Sequence, residues 1–264
     1  MFNQFVYKSM SSVNRNMQRL EDTVSDVNNV FTNGYKGKET TFHETINGMQ
    51  TNVRRDLRDG IAKTTSRELD FAIQGKGYFE VQLPDGTYAY TRDGSFTIGP
   101  NGELLSSQGY QVITSRPDSE YVNANYDALA EDGAAFDVGV NSGSTFIPVG
   151  SQVTLGEDGA LMADDKVIGK LNVVTFTNEE GLQDIGENLY MPTPASGDIA
   201  DVELGTMEGQ TEIKQGYLES SNVSIVKTMS DMVQLNTIIK AELKVIKTLD
   251  QMQENLTSTI TRSI

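Results

Sequence analysis

The first thirty-one residues, MFNQFVYKSMSSVNRNMQRLEDTVSDVNNVF, contain neither glycine nor proline. Apolar side chains return along them at Val6, Met10, Val13, Met17, Leu20, Val24, Val27 and Phe31. The steps alternate four and three, the period of a helix with one continuous apolar seam. Asn14, Arg15, Gln18, Arg19, Asp22 and Ser25 fill the polar gaps. The spacing predicts a helix that Asn33-Gly34 should end, because glycine accepts the left-handed conformation at a helix terminus.

The other end follows the same grammar. From Ser221 to Ile264 there is again no glycine or proline. Leu235, Ile238, Val245, Leu249, Met252 and Leu256 mark an apolar seam, broken once at Glu242, with Ile239, Leu243 and Ile246 as a second stripe beside it. Ser221 or Asn222 is expected to cap the helix start. So wide a stripe suits a helix that touches several neighbours. An isolated amphipathic helix is marginal in water, and each seam residue contributes about 1.5–3 kcal/mol only where a partner covers it. Packing on the chain's own β-domain is the alternative to packing on other molecules.

Between the ends the pattern changes. From Glu68 to Gly216 turn signals recur at Asp85-Gly86, Asp93-Gly94, Asn101-Gly102, Asp132-Gly133 and Asp158-Gly159, separated by short runs rich in aromatic and β-branched residues. Residues 78–83 and 87–92 should form a hairpin, followed by further strands at 95–98, 103–105, 110–113, 145–149, 152–155 and 170–176. Residues 115–143, rich in Asp, Asn, Ala and Gly, read as a long excursion. The expected class is α+β: N- and C-terminal α-helices pairing in a coiled-coil-like bundle, with a central all-β domain of short antiparallel strands. The expected divisions are an N-terminal helix at 1–33, an extended linker at 34–67, a β-rich domain at 68–216 and a C-terminal helix at 217–264.

Reactive chemistry is sparse. The 264 residues include no cysteine and a single histidine, His43, so thiolate nucleophiles, disulfides and Cys- or His-rich metal sites drop out. Gly75-Lys76-Gly77 precedes a strand and lacks the spacing of a phosphate loop. Asp158, Asp164 and Asp165 lack EF-hand spacing. No catalytic, cofactor-binding or metal-binding residue is expected, and no enzyme activity. The net charge of −16 disfavours nucleic acid and anionic lipid as partners. No apolar run approaches the ~20 residues a membrane helix needs, so no membrane insertion is expected. The start lacks a basic segment followed by an apolar core, so no cleaved secretory signal is expected either.

Several blocks resemble the flagellar rod and hook axial proteins. They are Leu20-Glu21, Asn29-Val30, Gly34-Tyr35-Lys36 and Phe42; then Leu69 to Phe79, Tyr90-Thr91-Arg92-Asp93-Gly94-Ser95-Phe96, Gly102-Glu103-Leu104 and Gly109-Tyr110; then Phe176-Thr177-Asn178, Gly186-Glu187-Asn188-Leu189-Tyr190 and Gly216 to Val223. Two departures stand out. Ser25-Asp26 replaces the family's paired asparagines, and Asn236 to Lys240 replaces its Gln-Arg-aromatic-Glu run.

The resemblance implies a basal-body rod subunit, proximal or distal, that polymerises into the axial tube transmitting torque for motility. Gly216 to Glu219 leans distal; Met229 to Met232 and the short link from Phe42 to Gly60 lean proximal. It implies terminal helices that are largely disordered in the free subunit and pack with neighbours in the tube. The self-assembly seams would be Val6, Met10, Val13, Met17, Leu20, Val24 and Val27 at one end, and Leu235, Ile238, Val245, Leu249, Met252 and Leu256 at the other. It further implies copies of itself and other rod and hook proteins as partners, and delivery by the flagellar type III export apparatus to a periplasm-spanning rod without a cleaved signal, with Phe2 and Val6 as the export element. A hook-type axial protein, an extracellular β-rich adhesin and a hydrolase on a β-scaffold are the competing readings.

Overall fold

The computed structural model describes residues 2–45, 48–115, 146–148, 150–156, 158–164, 166–202, 204–205 and 210–262. The chain divides into two compact units. One comprises Met1–Val30, Gly37–Asp56 and Val223–Ile264, and the other Phe31–Lys36 and Leu57–Asn222.

The first unit is built on two helices, α1 (Phe2–Asn28) and α2 (Ile225–Arg262), packed against each other. The 34–67 stretch expected as a linker carries a hairpin of β1 (Lys38–Thr45) and β2 (Gly48–Arg55), in register from Lys38 opposite Arg55 to Thr45 opposite Gly48. β1 lies along α1. Both expected helix boundaries move. α1 stops before Asn33-Gly34, with the Asn29 N–H bonded to Ser25 O at 3.1 Å. α2 starts after Ser221 and Asn222, and Ser224 O accepts the Thr228 N–H at 2.9 Å to close its first turn. Among the described residues no helix is long and apolar enough to cross a membrane.

The second unit is β-rich, as the turn spacing predicts. Its strands are β3 (Ala62–Thr64), β4 (Phe71–Gln74), β5 (Tyr78–Gln82), β6 (Tyr88–Thr91), β7 (Thr97–Ile98), β8 (Leu104–Leu105), β9 (Gln111–Val112), β10 (Thr114–Ser115), β11 (Val153–Leu155), β12 (Ala160–Ala163), β13 (Lys166–Leu171), β14 (Val173–Phe176), β15 (Gln183–Gly186), β16 (Leu189–Met191), β17 (Ile199–Asp201), β18 (Glu212–Gln215) and β19 (Tyr217–Glu219). The largest sheet runs β15-β16-β6-β5-β9-β8-β7, with β14 joining β5 to β17. A second sheet runs β10-β13-β12-β11, and β18-β4 and β19-β3 pair by themselves. Every pairing between these strands is antiparallel.

The predicted β5–β6 hairpin forms. The Thr87 N–H and hydroxyl both donate to Asp85 Oδ1, at 2.9 and 2.6 Å, and Gly86 takes a φ of 85°. The expected strand at 145–149 is reduced to a bridge between Phe146 and Glu103, with Ile147 fully buried beside it. Pro148 has no N–H to extend a ladder, and Thr145 and Val149 lie outside the described residues. So does the 115–143 excursion beyond Ser115, with its Asp132-Gly133 turn.

The core gathers Phe71, Phe79, Val81, Phe96, Leu104, Val112, Leu161, Leu171 and Val173. A second cluster stacks Tyr78, Tyr90, Phe176 and Tyr190 edge to face. The alternating residues of β5, β6 and β14 contribute to both, Phe79, Val81 and Val173 to the first and Tyr78, Tyr90 and Phe176 to the second.

Candidate interface and its charged anchor

Three of the distant sequence blocks meet in one buried charge cluster of the β-rich unit. Lys36 donates to Glu219 Oε1 at 2.7 Å and to Arg58 O at 2.9 Å. Arg92 lies 3.4 Å from Glu219 Oε2, donates to Gly75 O at 2.8 Å and sets its guanidinium 5.3 Å from the Tyr78 ring centre. The Gly60 N–H adds a bond to Glu219 Oε1 at 2.8 Å. Lys36, Arg92 and Glu219 are all at least 97% buried, while Asp59, 3.5–3.6 Å from both cations, is partly open to solvent.

Dehydrating three charges costs several kcal/mol per ion, and the mutual attraction offsets that only where the remaining bonds are made. Here the carbonyls of Arg58 and Gly75 and the Gly60 N–H make most of them, and Arg92 Nε stays buried without a bond. The glycines beside the cluster serve close approach. A Cβ on Gly34, at φ 67°, would stand 2.6 Å from Arg92 C, and one on Gly60 would stand 1.7 Å from Ser220 O. Gly34 is therefore a contact glycine and not the helix terminator its position suggests. Asn188, held at φ 63°, donates to Asn33 O at 2.5 Å and accepts the Thr91 hydroxyl on its own carbonyl at 3.0 Å.

Asp93 ties the turn after β6, accepting from the Ser95 N–H and hydroxyl and from the Ser107 hydroxyl. A depression of about 490 Å³ beside the cluster is lined by three cations, Arg58, Lys76 and Arg92, and three carboxylates, Asp59, Glu179 and Glu180. Burial first, and the carboxylate of Glu179 second, push the Tyr78 phenol well above its ordinary range; burial, then Glu80, does the same to Tyr90. Asp158 Oδ1 accepts the Ala160 N–H and Asp164 Oδ1 the Gln152 N–H, so these two carboxylates brace turns. Asp165 lies outside the described residues.

In the helical unit the N-terminal seam divides in two. Val13 is buried and Val6, Leu20 and Val27 are half-buried, one heptad position turned inward. Met10, Met17 and Val24 are 58%, 47% and 39% exposed; Phe31, past the helix end and in the β-rich unit, is 87% exposed. A third face of α1 holds the hairpin: the Arg15 guanidinium lies 5.9 Å from the Phe42 ring centre, Asp22 accepts the Thr40 hydroxyl, and Asp26 accepts the Lys38 N–H at 3.1 Å.

The C-terminal seam divides likewise. Leu235 is buried and Leu249 half-buried, but Ile238, Val245 and Met252 are 44–60% exposed. The inward positions between the two leucines are taken by Ile239 and Ile246, the stripe read as secondary, and by Glu242. Glu242 accepts from the Ser12 hydroxyl at 2.6 Å and from the Asn16 amide at 3.1 Å on each oxygen. The side chains of Phe2 and Leu256 lie outside what the structure describes.

Sequence reasoning missed the charge cluster and the partners of Glu242. The available signal was the placement of Lys36, Arg92 and Glu219 inside otherwise apolar or turn-forming blocks, where a solvated charge has little reason to sit.

The chain matches the family described as "Flagellar hook protein FlgE/F/G D1 domain" over residues 72–163 and that described as "Flagellar basal body rod FlgEFG protein C-terminal" over residues 214–259. It is 33% identical over 269 residues to "Flagellar basal-body rod protein FlgG" of Buchnera aphidicola subsp. Baizongia pistaciae, covering 91% of this chain and 92% of the relative. To the protein of that name from Borreliella burgdorferi it is 35% identical over 201 residues, 76% and 68% of the two chains. To "Flagellar basal-body rod protein FlgF" of Salmonella typhimurium it is 26% identical over 267 residues, 93% and 94% of the two.

Proposed function

We propose, from the premise that this chain belongs to the flagellar basal-body rod protein family, that its copies join through the helix faces it leaves uncovered and so polymerise into the torque-transmitting axial tube. The protein is a structural subunit of the flagellar rod and a component of the basal body. The hook-type and adhesin alternatives are not favoured by relatives named as rod proteins.

One observation carries the assembly reading. Met10, Met17 and Val24 on α1, and Ile238, Val245 and Met252 on α2, form apolar stripes of heptad period that α1 and α2 do not cover for each other. Scattered apolar surface is ordinary, but stripes at a coiled-coil period are not. A helix of a neighbouring copy fits them. The contact would join two different faces, and such a heterologous operator gives an open helical array. Further rod and hook proteins would join the same tube at its ends. Delivery by the flagellar type III apparatus, with Phe2 and Val6 as export element, and a periplasm-spanning position complete the proposal.

The test is complementation of a strain lacking the gene, followed by swimming assays and electron microscopy of basal bodies. The unaltered chain should restore the rod. Met17→Glu and Val245→Glu should leave the purified subunit folded but stop the rod. Normal rods with both substitutions would overturn assembly through these stripes.

A further inference from the structure

The inward seam between α1 and α2 is interrupted by one carboxylate. Glu242 follows the buried Ile239 and precedes Ile246 on the side of α2 that meets α1. Its three bonds all come from neutral α1 donors, the Ser12 hydroxyl and the Asn16 amide. Those donors sit beside Val13, the most buried side chain of the α1 seam.

We propose that Glu242, with Ser12 and Asn16, is a register pin that determines how α1 and α2 align, and thereby which apolar stripes the subunit presents to its neighbours. The inference rests on the assembly reading above for its consequence, though not for its geometry.

The physical reason is an asymmetry between apolar and polar contacts. Valine, leucine and isoleucine at helical spacing pack nearly as well after a slip of one turn, about 5.4 Å, because burial has no direction. A carboxylate registers that slip. Moved one turn toward the C-terminal end of α1 it would trade the Ser12 hydroxyl for Leu20, and moved one turn the other way it would give up the Asn16 amide and meet Ser12 with Lys8 and Ser9. Only the observed alignment makes all three bonds to Ser12 and Asn16, and a charge that loses its bonds is costly. A single polar residue in a helical seam fixes register in this way, at some expense in stability. The uncovered stripes are complementary to Val6, Val13, Leu20 and Val27 on one helix and to Leu235, Ile239, Ile246 and Leu249 on the other. Any change of alignment therefore shifts Met10, Met17 and Val24 against Ile238, Val245 and Met252.

The absence of native cysteine makes the test direct. The full chain carrying Gln18→Cys and Lys240→Cys, both exposed positions, is spin-labelled and the distance between labels measured by pulsed electron resonance. The native seam should give one narrow distance. Glu242→Leu should raise the melting temperature of the helices, because the apolar seam becomes continuous, yet add a second distance displaced by about one turn in at least about a tenth of the molecules, a tenfold or smaller preference in place of a strict one. Glu242→Gln, which keeps an acceptor oxygen, should keep the single distance. Ser12→Ala combined with Asn16→Ala, which strands the carboxylate, should broaden the distribution without the added melting temperature.

A single unchanged distance in Glu242→Leu overturns the pin, as does a Gln variant that broadens as much as Leu, or a broad distribution already in the native seam. Electron microscopy of cells separates the two ideas. If Glu242→Leu spreads the register and rods still form normally, the pin stands and assembly through these stripes fails. If the register is unmoved, the pin fails whatever the rods do.

Discussion

Glu219 shows how much one side chain can decide. It receives Lys36, the Gly60 N–H and Arg92 in a pocket closed to water. Removing its charge leaves two buried cations with one half-exposed carboxylate, Asp59, nearby. Glu219→Gln should therefore cost about 3–5 kcal/mol in urea unfolding of the β-rich unit, whereas Lys36→Met combined with Glu219→Leu should cost clearly less than the sum of the two singles. Additive losses would show that the pair does not act as a unit. The phenols of Tyr78 and Tyr90 give the same unit a pH signature. In the unfolded chain each ionises around 10.0, and in the folded chain burial keeps it protonated beyond that point. Above that pH the unfolded state therefore binds fewer protons, so stability is intact below about pH 10 and falls as pH rises past it, by at most about 1.4 kcal/mol per pH unit for Tyr78. Melting temperatures between about pH 8 and 11 should trace this fall, and Tyr78→Phe should flatten it.

At the scale of elements, α1 and α2 each carry more apolar surface than their mutual contact hides. The heptad pattern marks both the covered and the uncovered positions and does not tell them apart, since both keep helical spacing. The two kinds of position should separate on substitution. Leu235→Ala, at a buried site, should destabilise the helical unit by about 2–5 kcal/mol. Val245→Ala, at an exposed one, should stay within about 0.5 kcal/mol in the isolated subunit and still weaken assembly. Helical circular dichroism during denaturation, beside rod counts in cells, reads the two effects independently. The β1–β2 hairpin explains a departure from the family pattern. Asp26, near the end of α1 where the helix dipole disfavours a negative charge, is compensated by the Lys38 N–H.

For the whole molecule, the division into two units makes a further prediction. All the cluster residues, from Lys36 to Glu219, belong to the β-rich unit. A chain ending at Ser224 should keep that unit folded, with its near-ultraviolet aromatic signal, while α1, deprived of α2, loses most of its helix signal. Loss of both signals together would show that the β-rich unit depends on α2. By itself the sequence determined the two terminal helices, the antiparallel middle with its Asp85-Gly86 hairpin, and the family, because periodicity, turn chemistry and motif order are local properties written in adjacent residues. Only the tertiary structure decided which half of each seam is covered, that Glu242 faces Ser12 and Asn16, and that Lys36, Arg92 and Glu219 close on one another. Those facts depend on segments up to 230 residues apart, and a spacing pattern records that a side chain is apolar or charged without recording what comes to meet it.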